Sequence, residues 1–315
     1  MELMTVKGLV QIEDAGLVDA HAHLWIEAPK CLDTITRPNL TNYSAVEAEL
    51  HDFKMAGGTA LIDCQPGGCG RDANILRRFS ESTGLHVIAT TGFHKREYYS
   101  PGSWLWLSSI EQALAYLIEE LTYGIREANT NICATTIKIA FNGNPEGQER
   151  VLMEAAAEAA RRCDALVLCH TEQGMHAEDI VRFFSNRKLP PNQLYICHMD
   201  KRADISLHRE LAQEGVLLGY DTFARPKYDP ERNVWRLLRT LVADGFHEYI
   251  SIGLDMASAT MWQHCGGQPG LCFLPNVIIP RLFAEGFPKS IVNQLTGSNI
   301  IRRLAKKSEL KTSKP

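Results

Sequence analysis

The sequence predicts an α/β fold, a single (β/α)₈ TIM barrel with its site at the C-terminal ends of the strands. Three observations predict it. Short apolar runs rich in Val, Ile, Leu and Ala alternate with longer amphipathic stretches through eight repeats. The short runs lack the polar alternation of half-exposed strands, which suits a parallel sheet clothed by helices. Ionisable residues close several of the runs, and a barrel of this kind builds its site at those strand ends.

The strands fall at roughly 17–24, 58–65, 86–92, 134–141, 165–171, 194–199, 216–222 and 249–256. One helical pattern fills each gap, in order YSAVEAELHDFKMAG, ANILRRFSEST, SSIEQALAYLIEELTYGI, EGQERVLMEAAAEAARRC, AEDIVRFFSN, DISLHRELAQEG and ERNVWRLLRTLVADG. Two connections are long: His94 to Trp106 after strand three, and Ala257 to Phe273 after strand eight. Loops of that length in a compact barrel are commonly lids or binding walls. No second composition regime breaks the pattern, so residues 1–305 read as one domain and the basic 306–315 (KKSELKTSKP) as a frayed tail. The GGCG run at Gly67–Gly70 lacks the spacing of a phosphate-binding loop and reads as turn chemistry.

With 315 residues, 45% of them hydrophobic, the chain can bury a large core. A formal net charge of −4 argues against a nucleic-acid or anionic-membrane partner. No run approaches the ~20 apolar residues of a membrane span, and the N-terminus carries no apolar signal core. Nine scattered cysteines show no zinc-finger spacing, and Cys64, Cys169 and Cys197 in the predicted strands read as buried small hydrophobes, which points to a reducing, cytoplasmic compartment.

The chemistry lies in residues that close the strands. In LVDAHAHLW, His21 and His23 are two apart, so both rings project to one face. Alone, such a pair is as readily two polar residues finishing a strand as a metal site. Asp19 shares their parity, which makes it an orienting partner for a histidine or a capping residue. In TTIKIAF, Ile137 and Ile139 face the helices and direct Lys138 into the barrel. Desolvation and nearby positive charge would lower its pKa. The neutral amine could then take up CO₂ as a carbamate able to bridge two ions. The rivals are a Schiff-base lysine of an aldolase and a lysine paired with an inward acid. His170 and His198 close strands five and six in LCHTEQ and ICHMDK, each after a cysteine expected to point outward. Either alone could be a core histidine; together they are ligands for a second ion. Asp255 ends strand eight in IGLDMA, placed to bind the first ion and exchange a proton with water. These donors suit Zn²⁺, with Mn²⁺, Co²⁺ or Fe²⁺ as alternatives.

The ordered set of HxH, Lys138, His170, His198 and Asp255 resembles the phosphotriesterase family of the amidohydrolase superfamily, from LVDAHAHL to PRLFAEGFPKSIVNQLTGSNIIRRLA. HTEQG, CHMDK, YDTFARPKYDPE and GGQPGL look most like the branch that hydrolyses sugar lactones, some of them phosphorylated. The resemblance implies one ion on His21, His23 and Asp255 and another on His170 and His198. Carboxylated Lys138 and a hydroxide would bridge them. Two departures stand out. HAH replaces the usual HEH, with Ala22 pointing away, and MASATMWQHC lacks the arginine that phosphorylated-lactone relatives place after strand eight, which weakens the expectation of a phosphorylated substrate.

Arg225, Lys227 and Tyr228 in RPKYDPER are candidate contacts to an anionic or hydroxylated small-molecule substrate; an ordinary loop is the alternative. Tyr98, with His94, Lys95 and Tyr99, is a weaker candidate, and Glu172 and Gln173 contact sugar hydroxyls or brace His170. The expected activity is opening of a hydroxylated sugar-type lactone by a metal-bridging hydroxide, with Asp255 taking its proton. Phosphoester or phosphotriester hydrolysis by the same metal pair is the alternative, and a non-catalytic binding protein is the reading from another class. Relatives are often dimers, which leaves a homodimer open.

Overall fold

The structure is a computed structural model that describes residues 1–32 and 39–305. The frayed-tail expectation for 306–315 lies outside the described residues. An antiparallel hairpin, Glu2–Thr5 with Gly8–Gln11, precedes the barrel. The barrel strands are Leu17–Ala22, Gly58–Asp63, His86–Ile88 continued by Thr90–Gly92, Thr136–Phe141, Leu166–Thr171, Leu194–Ile196, Leu217–Tyr220 and Ile250–Ile252. All neighbours run parallel. The third strand breaks at Ala89: its first half pairs with strand two and its second half with strand four. Gly92 permits that approach, because a Cβ there would lie 2.0 Å from the Lys138 carbonyl oxygen. The last strand returns to the first through Asp255 N–H to His21 O at 2.8 Å. Gly253 makes room for this closure, since a Cβ would lie 2.7 Å from His21 N.

Each of the seven helical patterns is a helix, at Tyr43–Met55, Ala73–Thr83, Ile110–Thr122, Gly147–Cys163, Ala177–Ser185, Ile205–Glu214 and Val234–Ala243. Their starts follow local chemistry. Asn42, Asp72 and Asp204 side chains accept backbone N–H bonds at their N-caps, and Ser109 with Gln112 forms a capping box. The helices ending at Thr83 and Glu214 stop at left-handed Gly84 and Gly215. Among the described residues no helix is long and apolar enough to cross a membrane.

The core has two parts. Val18, Ala20, Ile62, Cys64, Ile88, Leu166, Leu168, Tyr195, Cys197 and Leu217 fill the barrel, with Leu3, Ile300 and Ile301 below them. Ile137, Ile139, Val167, Cys169, Ile196 and Leu218 face the helices. This fits the alternation expected around Lys138 and His170 and corrects it twice. Cys197 faces inward, not outward: His198, which follows it, has φ +63°, and that left-handed turn swings the imidazole back into the mouth. In strand one a register shift between Asp19 and Ala22 breaks the shared parity of Asp19 with the histidines. Asp19 touches no imidazole. Its Oδ1 accepts His21 N–H at 3.0 Å and Leu254 N–H at 3.1 Å, tying the first strand to the end of the last.

Candidate metal centre

The six residues singled out by the sequence meet at one mouth of the barrel. His21, His23, Lys138, His198 and Asp255 are buried, and His170 is nearly so. His21 Nε2 and His23 Nε2 each lie 3.6 Å from Asp255 Oδ1. His198 Nε2 faces His170 Nδ1 at 3.0 Å, and Lys138 Nζ is 3.5 Å from His21 Nε2.

The outer nitrogen of every ring is already engaged. His21 Nδ1 donates to Asp221 Oδ2 at 2.9 Å and His198 Nδ1 to Asp221 Oδ1 at 2.7 Å. His23 Nδ1 donates to Gln65 Oε1 at 3.0 Å, and His170 Nε2 to Glu172 Oε1 at 3.1 Å. Those acceptors assign the tautomers, because a carboxylate or amide oxygen can only receive a proton. Each ring therefore turns an imine lone pair inward. Burial, with the Lys138 charge among the lesser causes, lowers the pKa of His21 and of His170 to about 3, so both rings are neutral at pH 7. Two facing lone pairs 3.0 Å apart repel unless a cation joins them. The donor set fits divalent ions: neutral imidazoles oriented by outer carboxylates, plus one inner carboxylate. His21, His23 and Asp255 are one group close enough to hold an ion. Asp221 also clusters with His21 and His198, but through their outer nitrogens.

Asp255 has φ +49°, a strained value for a non-glycine residue. Burial pushes its carboxyl up, yet the net result lies well below the usual carboxylate range; with the facing imidazoles neutral, the charge that opposes burial is the Arg225 guanidinium paired with Oδ2. Lys138 departs from expectation. Burial does push its pKa down, yet the Cys197 and Cys64 sulfurs and the Asp255 and Asp221 carboxylates outweigh burial, and the net shift is upward.

The expected substrate residues are spread around the rim. Arg225 turns inward: its Nη2 pairs with Asp255 Oδ2 at 2.8 Å and also bonds the Asp255 carbonyl. Lys227 is exposed, with Nζ 4.9 Å from the Tyr228 ring centre; Lys201 Nζ lies 5.0 Å from the same ring. Tyr98 packs against His94 with ring centres 4.9 Å apart, and His94 lies 4.7 Å from the His170 ring. The loop after strand eight is firmly anchored. Buried Glu49 accepts His264 N–H at 3.0 Å and Leu271 N–H at 2.7 Å, and the buried Trp262 indole donates to Met256 O at 3.0 Å.

Sequence reasoning missed Asp221 and Gln65. Asp221 closes strand seven in LLGYD as the ligands close theirs, so its position was a readable signal. Gln65 belongs to the turn read as structural. Its Nε2 donates to Cys69 O at 2.6 Å, which leaves Oε1 facing His23.

A profile of the phosphotriesterase family matches residues 1–303. The chain belongs to the phosphotriesterase family. Among its relatives, a phospho-furanose lactonase of Mycoplasmopsis synoviae (strain 53) is 26% identical, over 96% of this chain and 91% of its own length. An N-acetyltaurine hydrolase of Homo sapiens is 25% identical, over 95% of this chain and 96% of its own. Two crystal structures superpose with a TM-score of 0.90 and cover 98% of the chain. A Mycoplasma synoviae amidohydrolase is 25% identical, with 92% of it covered, and a Listeria monocytogenes lactonase is 23% identical, with 100% covered. The second likeness bears on the barrel fold alone.

Proposed function

We propose that this protein is a metal-dependent lactonase that opens a hydroxylated, sugar-type lactone. The observation that carries this reading is the convergence of four imine nitrogens, the Asp255 carboxylate and Lys138 on one mouth. His21, His23 and Asp255 would hold one ion and His170 and His198 the other. Lys138, carboxylated by CO₂ as the ions enter, would be shared between them. Zn²⁺ suits these donors, and Mn²⁺, Co²⁺ and Fe²⁺ compete for them. Bound there, the ions supply Lewis acidity toward the ester carbonyl and lower the pKa of water.

The remaining work falls to the chain's own groups. Asp255 is ionised and takes the proton that the attacking water loses, then passes it to the leaving alkoxide oxygen. Arg225 holds Asp255 Oδ2, which leaves Oδ1 turned toward His21 and His23. Lys227 and Lys201 flank Tyr228 at the rim and have no carboxylate partner among the described residues. An anionic substituent on the lactone would meet both ammonium groups there, in place of the arginine lacking after strand eight. The phospho-furanose lactonase relative supports that feature.

The test is a panel on metal-loaded protein: sugar lactones with and without phosphate, N-acetyltaurine and a phosphotriester. Lactones should give the highest kcat/KM, and the phosphorylated ones should exceed their neutral counterparts. A higher kcat/KM on N-acetyltaurine would replace the lactone with an anionic amide, and one on the phosphotriester would replace the acyl centre with a phosphoryl one.

A further inference from the structure

We propose that Glu172 and Lys95 make the loop after strand three part of the second ion's site, so that docking of the loop and affinity for that ion rise together. The proposal rests on the reading that His170 and His198 hold an ion.

Glu172 Oε1 faces two partners at once. It accepts His170 Nε2–H at 3.1 Å and pairs with Lys95 Nζ. The first bond fixes the tautomer that leaves His170 Nδ1 as a lone pair facing His198. The second reaches across from strand three to strand five. His94 makes a second link, its ring 4.7 Å from His170.

The loop is braced within itself. Arg96 donates to the carbonyls of Tyr99 at 3.0 Å, Ser100 at 3.2 Å and Pro101 at 2.8 Å, while His94 N–H donates to Tyr99 Oη at 3.0 Å. Tyr99, Leu105 and Trp106 anchor the segment in the core, and the polar link of its near end to the metal-site residues runs through Lys95 and Glu172. Glu172 is half-exposed, so the link is breakable, whereas the loop after strand eight is tied down by buried Glu49. An ion that selects the Nδ1 lone pair of His170 strengthens the Glu172 bond and with it the loop's docking. By reciprocity a docked loop raises the ion's affinity. Glu172 and Lys95 are positioning residues, acting on His170 and not on the substrate.

The experiment strips the full chain of metal, titrates it with Zn²⁺ against a chelator, and follows hydrogen exchange in residues 94–106. Wild-type protein should take up two ions, and exchange in the loop should slow with the second equivalent. Glu172→Ala should weaken the second ion by about 10- to 100-fold and leave the first unchanged. Glu172→Gln, whose amide oxygen still accepts, should recover part of the loss and serves as the test if the Ala variant proves unstable. Lys95→Met should weaken the second ion by about 2- to 5-fold and abolish the loop's protection. The Lys95→Met/Glu172→Ala double variant should bind no more weakly than Glu172→Ala, because both act through one contact. Equal weakening of both ions, additive losses, or loop protection complete with the first equivalent would overturn the proposal. A wild-type protein that takes up a single ion overturns the metal assignment and the coupling with it. Two ions bound with unaltered affinity in every variant overturns the coupling alone.

Discussion

Asp221 offers the sharpest test of the tautomer argument, because one buried carboxylate orients a histidine from each half of the site. Its Oδ2 accepts His21 Nδ1–H at 2.9 Å and His198 N–H at 3.1 Å, and its Oδ1 accepts His198 Nδ1–H at 2.7 Å. Asp221→Asn keeps the shape but has a single acceptor oxygen. That oxygen belongs where two donors converge, at the Oδ2 position, which leaves the amide NH₂ facing His198 Nδ1. To accept from it, His198 must move its own proton to Nε2, the nitrogen that faces His170. One ligand is then lost from the second ion while His21 keeps its tautomer. A hydrogen bond to a charged group contributes roughly 1.5–3 kcal/mol, which corresponds to about 10- to 150-fold in affinity, in line with the effect of outer partners in other metal sites. Chelator competition should therefore show the second ion weakened by that factor and the first by only a few-fold, and ¹⁵N imidazole shifts should show His198 protonated at Nε2. Loss of the first ion with retention of the second, or wild-type affinity for both, would refute the assignment.

Lys138→Ala should lose the shared ligand and most activity, with partial rescue by short carboxylic acids; rescue by amines would mark a lysine acting as a base. Asp255→Asn should lower kcat by about 10²–10⁴ with smaller loss of metal, measured by elemental analysis beside turnover. Lys227→Met should lower kcat/KM on anionic lactones by about 10- to 150-fold and leave neutral lactones unchanged; equal losses would remove it from substrate recognition. Burial and the neighbouring Asp221 charge raise the Asp200 pKa to about 8, far above the ~3.9 of an unfolded aspartate. A raised carboxyl stabilises the fold fully below the unfolded value and loses that contribution as pH rises through the folded one. Asp200→Asn should therefore gain on wild-type stability between about pH 4 and pH 8 in urea denaturation of metal-free protein; a difference independent of pH would refute the assignment.

The barrel was legible because each strand is a short apolar run and each helix a clear amphipathic one. Side-chain direction was legible only where the pleat stays regular. In strands four and five the backbone remains extended through the ligand, so Ile137, Lys138 and Ile139, and Cys169 with His170, alternate as a period of two requires. Strand one carries a register shift beyond Asp19, and strand six ends in the left-handed turn at His198. Neither leaves a mark in LVDAHAH or YICH that separates it from a regular strand. The outer partners of the rings were less legible still. Asp221 stood at a strand end and could have been read by the rule that found Asp255. Gln65 owes its role to the fold of a glycine-rich turn, and the reach of Arg225 to Asp255 depends on how two loops pack. Both arise from tertiary geometry, which local pattern does not encode.

The anchoring of the strand-eight loop by Glu49 and Trp262 bears on how this protein could acquire new substrates. Trp262 cannot be exchanged without emptying a buried site and stranding the Met256 carbonyl that its indole satisfies, and the loop's path depends on Glu49 holding the backbone amides of His264 and Leu271, so variation at these anchors costs stability before it alters selectivity. On the opposite side the rim rests on partly exposed ion pairs and ring contacts that tolerate change at little cost. Diversification should therefore be lopsided. Libraries randomised at Lys95, Glu97 and Tyr98 should yield folded variants with shifted substrate range, whereas the same diversity placed at Trp262 and Leu271 should yield mostly unfolded protein.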